Sequence, residues 1–286
     1  MKQLLQVLRK ETGCSFVLAK EALVKHNSNV ELAKIYINEK LASKTFAPSN
    51  AAQGLVLAHP SVIMKLSCAT DFVAKSDIFT HLANRIIPSI YFLLPNLLEG
   101  NREAVKKFVE LKEEMLLDLP TAPAHSDSDV AAAVTTIKEE IAQASAKLRE
   151  HIQIKNCFAV HTPFASACST SMSVSNHYVH ASAGLFSSSQ PYLGRIGAVT
   201  SLSFSPTKAV SIGNFYKQDP ERPALLAKKL AQHIVGLNPG SVDELLTQDY
   251  LMGGGNVKQV LDQFEEDHGV KVRVNDFKRL DIGENN

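Results

Sequence analysis

The chain has 286 residues, of which 45% are hydrophobic and 21% are charged, and its formal net charge is +1. This length can bury one large core or two or three smaller ones. The nearly neutral charge gives no sign of a nucleic-acid-binding surface or of an acidic solvating tail. No apolar run approaches the roughly 20 residues that a membrane-spanning helix needs. Composition therefore predicts an ordinary globular protein and excludes those three classes.

Residues 1–45 carry three short amphipathic patterns. The first pattern ends at Gly13, which is typical of the end of a helix. Ser15 can cap the second helix, and a turn at residues 27–29 leads to the third. These patterns predict a three-helix module with a small core. The chain enters its first helix directly, so we expect neither a secretory signal nor a transit peptide in it, and an organellar protein would be present in processed form.

Apolar side chains alternate along residues 54–68, and this pattern predicts a hairpin that turns at His59 and Pro60. In its second strand one face should be more buried than the other. The apolar spacing becomes helical over residues 77–94. Pro88 should kink or end that helix, because proline has no N–H for the helical hydrogen bond.

Residues 69–76, called the junction below, join the second strand to that helix. Ser76 can cap the helix through its hydroxyl. Within the junction Asp71 precedes Phe72, and a large ring beside a carboxylate is either a local packing plug or a group presented to a partner. The usual burial of phenylalanine favours the plug. The residues by themselves leave both interpretations open.

The rest of the chain alternates between helices and strands. Further strands are predicted over residues 152–161, 177–181, 195–204 and 270–280. Further helices are predicted over 102–117, 130–150, 221–235 and 256–268, and polar loops over 118–129 and 162–174. The elements come in two batches, before and after about residue 150, which indicates an α+β fold. We therefore predict a three-helix module at 1–45 and two related α+β core subdomains at 54–161 and 162–286, with antiparallel sheets and flanking helices.

Candidate metal and redox sites are weak in this sequence. The four cysteines lie far apart and form no CxxC pair, which predicts reduced thiols rather than disulfides or a zinc site. His177 and His180 are three residues apart, but in a strand this spacing places them on opposite faces. We therefore expect no bound metal and no cofactor.

Candidate catalytic groups are equally sparse. Residues 253–255 are three glycines before a helix, but the Lys-Ser/Thr of a P-loop is missing. No G-x-S-x-G elbow accompanies the serine-rich stretches. Asp118, Asp127 and Asp129 lie in a polar loop, where paired acid–base chemistry lacks fixed geometry. With no catalytic residue to name, the sequence favours a protein whose activity is binding.

Several segments together resemble the elongation factor Ts family, and within it the animal mitochondrial form. Residues 68–75, CATDFVAK, resemble the family signature of a cysteine, one further residue and then TDFV. Residues 8–23 are similar to the opening of the family's ubiquitin-associated-like three-helix module. The other matching segments are YVHA at 178–181, LGRIGAV at 193–199, and residues 226–239 and 248–284. The likeness covers nearly the whole chain, and TDFV is its specific part.

Some features depart from the usual family pattern. Ala181 stands where glycine is usual, and Ala69 replaces the usual Glu or Gln before Thr70. The serine-rich loops at 166–175 and 184–191 have no family role that we can assign. The long coiled-coil hairpin and the extra C-terminal helix of bacterial members have no matching pattern here, which fits the mitochondrial form.

The resemblance implies a guanine nucleotide exchange factor for elongation factor Tu in mitochondrial translation elongation, without covalent chemistry. The partner-binding segment that it implies is Thr70, Asp71, Phe72 and Val73. Phe72 would be a wedge near the partner's Mg²⁺ and phosphate site, with Asp71 as the charged group beside it. Thr70 and Val73 would fix the turn, and Val73 is expected to be buried rather than in contact. His180 would touch the partner's nucleotide domain from the second half.

The resemblance also implies where the chain works and with what. The partner would be mitochondrial elongation factor Tu, nucleotide-free or GDP-bound, in the mitochondrial matrix, with no direct contact to nucleic acid or membrane. The third helix of the N-terminal module would add a second contact to this partner.

Two other classes of function compete with this interpretation. A small-molecule enzyme would use His177 or His180 in a cleft between the halves, and would need a polar pocket with a base and its orienting partner. A ubiquitin-binding adaptor would use residues 1–44 and would leave the chain after residue 50 unexplained. Together with the missing catalytic groups and the two-half layout, the resemblance reverses the first preference and predicts that Phe72 is presented outward. An exposed Phe72 side chain in the free structure is therefore the first feature to check.

Overall fold

The computed structural model describes residues 2–42, 53–101, 103–104, 107–121, 135–162, 171–180, 192–207 and 212–284. Its helices are α1 Lys2–Thr12, α2 Phe16–Lys25, α3 Val30–Ala42, α4 Asp71–Ala74, α5 Asp77–Leu97, α6 Glu113–Leu117, α7 Ile137–Leu148, α8 Ile212–Gln218, α9 Arg222–Leu237, α10 Val242–Thr247 and α11 Val257–His268. Its strands are β1 Gln53–His59, β2 Val62–Cys68, β3 Val109–Leu111, β4 Gln153–Ala159, β5 Met172–His180, β6 Leu193–Gly194, β7 Ile196–Pro206 and β8 Val270–Asp281. Helices together with antiparallel strands confirm the predicted α+β class. Within these residues, none of the helices has the length and apolarity that crossing a bilayer requires.

The helices α1, α2 and α3 pack around one small apolar cluster that includes Leu8, Leu23 and Ile37. As predicted, the Ser15 hydroxyl caps α2, where it accepts a hydrogen bond from the Leu18 backbone N–H at 3.3 Å. This group of helices meets the rest of the protein through α3, which packs against α7. The three helices are therefore present, while their likeness to a ubiquitin-associated domain stays a prediction.

The first sheet has five strands in the order β3-β4-β2-β1-β6. β1 and β2 form the predicted hairpin, with Gln53 opposite Cys68 at its open end and His59 opposite Val62 at its turn. Every residue of β2 is buried, although the alternation predicted one face more buried than the other. The reason is that α5 and α7 cover one face of the hairpin while β7 and β8 of the second sheet cover the other.

The second sheet has three strands in the order β5-β7-β8 and packs against α8, α9, α10 and α11. β6 belongs to the later half of the chain but pairs with β1 of the first sheet, with Gly194 opposite Val56. A Cβ atom at Gly194 would lie 2.5 Å from the His180 carbonyl oxygen, so only glycine allows this close approach. One strand from the later half of the chain is therefore part of the first sheet, and the division at 54–161 and 162–286 stays a prediction.

The prediction of one helix over residues 102–117 is wrong for most of the residues that the structure describes there. Val109–Leu111 is the edge strand β3, with Val109 opposite Ala159 of β4, and only the short α6 is helical. The Phe108 backbone N–H donates a hydrogen bond to Asp276 Oδ2 at 2.9 Å, which fixes the chain before β3. Pairing at the sheet edge outweighs the helical spacing, because helix propensity is a weak preference that tertiary contacts override.

Two further boundaries differ from the predictions. The helical spacing predicts a helix to about residue 94, with Pro88 kinking or ending it. α5 passes Pro88 and continues to Leu97, three residues further, because burial of Ile90 and Leu94 offsets the lost hydrogen bond. β5 begins at Met172, inside the loop predicted over 162–174, because it pairs with β7 along its whole length. Some predictions lie outside the described residues, namely those for Asp127, Asp129, Cys168, Ala181 and most of the loops at 166–175 and 184–191.

Candidate functional site at the strand–helix junction

The junction begins where β2 ends, and its first part is a capped four-residue helix, α4. The Thr70 hydroxyl accepts a hydrogen bond from the Val73 backbone N–H at 3.3 Å, which is the side-chain N-cap of α4. The Ala74 backbone N–H donates to the Thr70 carbonyl oxygen at 3.2 Å and closes the turn. The local sequence TDFVA therefore forms one fixed helical turn directly after the strand.

Ser76 ends α4 and begins α5. Its backbone N–H and its hydroxyl both donate to the Val73 carbonyl oxygen, at 3.0 Å and 2.8 Å. The same hydroxyl accepts a hydrogen bond from the Phe79 backbone N–H at 3.3 Å, as predicted for the cap of the second helix. One residue thus links both helices, so the position of α4 is tied to that of the long buried helix α5.

The Phe72 ring points away from the core. Val73 and Ala74 are 8% and 3% exposed and belong to the main apolar cluster, whereas Phe72 is 83% exposed. Successive residues of a helix turn by about 100°, so a turn that buries Val73 and Ala74 cannot also bury Phe72. The structure thus matches the interpretation of a presented ring rather than a packing plug, and Val73 is buried as expected. The roles of both residues toward a partner stay predictions.

Asp71 places a negative charge beside that ring. Its carboxylate forms an ion pair with Lys75, four residues later, at 2.8 Å between Oδ2 and Nζ, and 46% of its side chain is exposed. The hydrogen bond from Lys75 lowers the pKa of Asp71 below its ordinary value, so the carboxylate is charged at neutral pH. The exposed surface of α4 therefore presents an apolar ring and a charged carboxylate next to each other.

Glu150 holds the start of the junction, and sequence reasoning missed it. Its Oε2 accepts hydrogen bonds from the backbone N–H groups of Ala69 at 3.0 Å and of Thr70 at 3.1 Å. Its Oε1 accepts one from the Thr70 hydroxyl at 2.6 Å. The two sides are 80 residues apart in the chain, and no local pattern marks such a contact.

Cys68 is a structural residue of the site. It is buried and free, and its thiol donates to the Thr70 carbonyl oxygen at 3.2 Å. Burial, which disfavours a thiolate, raises the pKa of Cys68 to about 12. A thiol with that pKa stays protonated and does not act as a nucleophile at neutral pH.

His180 lies at the end of β5 on the second sheet, and its side chain is exposed. Its Nδ1 atom is 3.5 Å from the Tyr178 hydroxyl oxygen. Strand β1 lies between His180 and the junction. At one end, Gln53 of β1 pairs with Cys68, the residue before the junction. Three residues later, Val56 pairs with Gly194, which lies against the His180 backbone. Three residues span about 10 Å of an extended strand. His180 and the junction are therefore attached to the same strand β1.

His177 lies on the opposite face of β5 from His180 and takes part in a half-buried cluster of rings. Its ring stacks on His59 at 6.0 Å and on Tyr192 at 5.6 Å, and His59 is 3.8 Å from Tyr91, all between ring centroids. Burial lowers the pKa of His59 to about 4, so it is neutral at pH 7. These histidines are packing groups, and the described residues hold no cluster of three His, Cys, Asp or Glu side chains suited to a metal.

A cavity of about 370 Å³ opens beside this cluster, between the β1–β2 turn, β5 and α8. Hydroxyl groups of Ser61, Thr162 and Ser175 bond to one another on one wall. Among the described residues that line it, Lys217 is the one charged side chain, and neither His177 nor His180 is part of its wall. The base with an orienting partner that an enzyme interpretation requires is not found in this described wall.

Comparison with known proteins gives a consistent result. Residues 69–245 match the family model described as "Elongation factor TS", which is more than half of the chain and starts at the junction. The chain is 27% identical to mitochondrial elongation factor Ts of Nematostella vectensis, over 99% of this chain and 99% of that protein. It is 26% identical to the mitochondrial elongation factors Ts of Bos taurus and Homo sapiens, over 99% of this chain and 80% and 83% of those proteins.

The family match covers the junction, α7 and the strands from β3 to β7, whereas β1, β2 and β8 lie outside the matched range. It confirms the family that the TDFV segment indicated. The chain belongs to the elongation factor Ts family, the guanine nucleotide exchange factors for elongation factor Tu in translation elongation.

Proposed function

We propose that this chain acts in the mitochondrial matrix on GDP-bound elongation factor Tu, and that residues 70–73 drive the release of GDP. Phe72 enters the partner near its Mg²⁺ and phosphate site, and Asp71 lies beside it. The single observation that carries this proposal is the Phe72 ring, which is 83% exposed on a helix held at both ends.

The physical basis is the charge of the nucleotide. Mg²⁺ neutralises phosphate charge, so moving the groups that order its ligands weakens GDP binding. A factor that binds the nucleotide-free state more tightly than the GDP state must weaken GDP binding by the same ratio, because the two equilibria are linked. GTP then displaces the factor from the partner. No covalent step is needed, so no catalytic residue is assigned.

A fixed Phe72 suits this role better than a mobile one. Each side chain that a complex immobilises costs about 0.5–1.5 kcal/mol of binding free energy, and a ring on a preformed turn avoids part of the backbone cost. Buried aromatic rings are also among the side chains that contribute most to protein interfaces. An apolar ring left in water by the free protein is therefore available to be buried in the complex.

Stopped-flow release of a fluorescent GDP from elongation factor Tu tests the proposal. We expect Phe72→Ala to slow release about a hundredfold, the loss of one strong anchor of roughly 2.7 kcal/mol. Phe92→Ala is the matched control, because Phe92 is 81% exposed on α5 and has the same side chain. A parent-like rate for Phe72→Ala would sink the mechanism, and equal losses in both variants would assign the effect to exposed apolar surface in general.

The magnesium dependence of the same rate separates this route from a steric one. If residues 70–73 disturb the Mg²⁺ site, added Mg²⁺ should compete with the factor and raise the concentration needed for half-maximal release. A rate indifferent to Mg²⁺ would argue for displacement at the base or ribose.

The mitochondrial partner is supported by the names of the relatives reported above, which are all mitochondrial elongation factors Ts from animals. A pull-down with mitochondrial elongation factor Tu, with and without GDP, tests it. We expect retention to be strongest without nucleotide, since linkage makes factor and GDP oppose each other. We further propose that His180 supplies a second contact and that the third N-terminal helix adds another.

A further inference from the structure

We propose that Glu150 is a positioning residue for nucleotide exchange, which holds the junction so that Phe72 is presented to the partner. This rests on the proposed function of Phe72. The hydrogen bonds of its carboxylate go to Ala69 and Thr70, which precede Asp71 and Phe72 in the chain. Its effect on exchange is therefore indirect, through the backbone that carries the ring.

The hydrogen bonds to Glu150 satisfy backbone N–H groups that have no partner in the strand pairing or in α4. The pairing of β2 with β1 ends at Cys68, so the Ala69 and Thr70 N–H groups lie beyond the ladder. The first N–H groups around a helix start also lack helical partners. One carboxylate satisfies both donors, and hydrogen bonds to a charged acceptor are stronger than those between neutral groups. The conformation of the two residues before Asp71 and Phe72 is thereby fixed.

Thr70 links Glu150 to α4. Its hydroxyl donates to Glu150 Oε1 at 2.6 Å and accepts from the Val73 N–H at 3.3 Å. The orientation of the hydroxyl that suits the cap is therefore set by the carboxylate. Loss of the carboxylate frees the hydroxyl to rotate and weakens the cap of a helix that has only four residues.

Glu150 can act as a fixed support because the chain on both sides of it is anchored. Before it, α7 packs into the main cluster through Ile137, Ile141 and Ala144 and ends at Arg149 in the left-handed conformation, φ +59°. After it, β4 begins at Gln153, which pairs with Ser67 of β2. α7 also carries the contact with α3, so one helix supports both the N-terminal helices and the junction.

The first experiment compares Glu150→Ala with parent in GDP release from elongation factor Tu over a range of factor concentrations. We expect the maximal release rate at saturating factor to fall on the order of tenfold, since small misplacement of an acting group has effects of this size. The half-saturating concentration should change less, because the remaining contact surface is intact. Glu139→Ala is the matched control, since Glu139 also accepts a backbone hydrogen bond on α7, from Thr136 at the opposite end. A fall of similar size in Glu139→Ala would overturn a positioning role.

Glu150→Gln is the conservative variant and serves if Glu150→Ala does not fold. The amide oxygen can still accept from the Ala69 and Thr70 N–H groups, while the amide NH2 cannot accept from the Thr70 hydroxyl, so the maximal rate should recover to within about threefold of parent rather than fully. A Gln variant as slow as the Ala variant would mean that the two backbone hydrogen bonds do not carry the effect, and it would overturn the account in which they position Phe72.

Two further measurements test separate steps: whether Glu150 orders the junction backbone, and whether its effect on exchange depends on Phe72. Hydrogen exchange at the amides of Ala69 and Thr70 should be faster in Glu150→Ala, because their acceptor is gone. In the Phe72→Ala background, Glu150→Ala should add less than twofold to the loss, because residues that act as one unit are not additive. Fully additive losses would overturn the inference.

The outcomes also separate this inference from the proposed function. Phe72→Ala at the parent rate defeats the proposed function of Phe72, and the inference about exchange falls with it, even if the two amides exchange faster in Glu150→Ala. A slow Phe72→Ala together with a parent-like Glu150→Ala defeats the positioning role alone.

Discussion

Phe72 and Phe79 are seven residues apart on consecutive helices, yet the first ring is 83% exposed and the second is fully buried. Phe79 lies on the stripe of α5 that includes Leu82 and Ile86 and faces the first sheet. Phe72 lies on a single helical turn, α4, in which Val73 and Ala74 occupy the buried positions. The comparison teaches that residue type does not decide the fate of an aromatic ring. Whether the ring is buried or exposed depends on which face of the helix carries it, and the caps fix how that helix is rotated against the core.

The buried half of the comparison predicts the largest effect on stability. Phe79→Ala should lower the free energy of unfolding by about 3–5 kcal/mol, because it removes a fully buried ring and leaves a cavity in the main cluster. Chemical denaturation measures this loss. A change below about 1 kcal/mol would contradict the packing described here, because core truncations of this size rarely cost so little.

A third group of rings, the half-buried cluster around His59, predicts that stability depends on pH. Burial lowers the pKa of His59 to about 4, below the value of about 6.5 that an unfolded chain would have. Between these values the unfolded state binds more protons, so stability present above pH 6.5 is lost as the pH falls toward 4, by about 1–2 kcal/mol once solvent screening of this half-buried ring is allowed for. Unfolding of parent and His59→Phe from pH 7 to pH 4 measures it, since phenylalanine keeps a ring but cannot titrate. Equal slopes would show that folding does not lower the pKa of His59, because both states would then bind the same number of protons.

His180 is a second exposed side chain, on the second sheet, that is proposed to contact the partner. If it contacts the partner, His180→Ala should raise the half-saturating concentration in GDP release about fivefold, a loss of roughly 1 kcal/mol that is usual for a contributing interface residue. His81→Ala is the control, because His81 is also an exposed histidine but lies on α5. The same small effect in both variants would remove His180 from the proposed contact.

The smallest expected effect is the change in stability on removing the exposed Phe72 ring, and it tests directly whether that ring packs against the protein. Phe72→Ala should change the free energy of unfolding by less than about 0.5 kcal/mol, since truncating an exposed side chain removes little burial. Thermal and chemical unfolding measure it beside Phe79→Ala. A loss approaching that of Phe79→Ala would mean that the ring packs in solution and that any slow GDP release reflects unfolding.

Much of the fold could be predicted because its signals are local. The caps at Ser15 and Ser76 each act on an N–H group three residues later, and both are present as predicted. The hairpin, the strand over 270–280 and the helix over 256–268 also follow from periodicity within a single element. What could not be predicted depends on distant residues, as in β3, where pairing with β4 about 50 residues later replaces the predicted helix.

The candidate site divides in the same way. The sequence by itself determined the family through TDFV, the cap at Ser76, and the presence of Phe72 beside a carboxylate between a strand and a helix. Only the tertiary structure decided that Phe72 points outward, because that depends on Val73 and Ala74 docking on the core. The same holds for Glu150, whose contact with Thr70 spans 80 residues. Hydrogen bonds between distant segments form only after both are packed, so they leave no pattern in the sequence near either one.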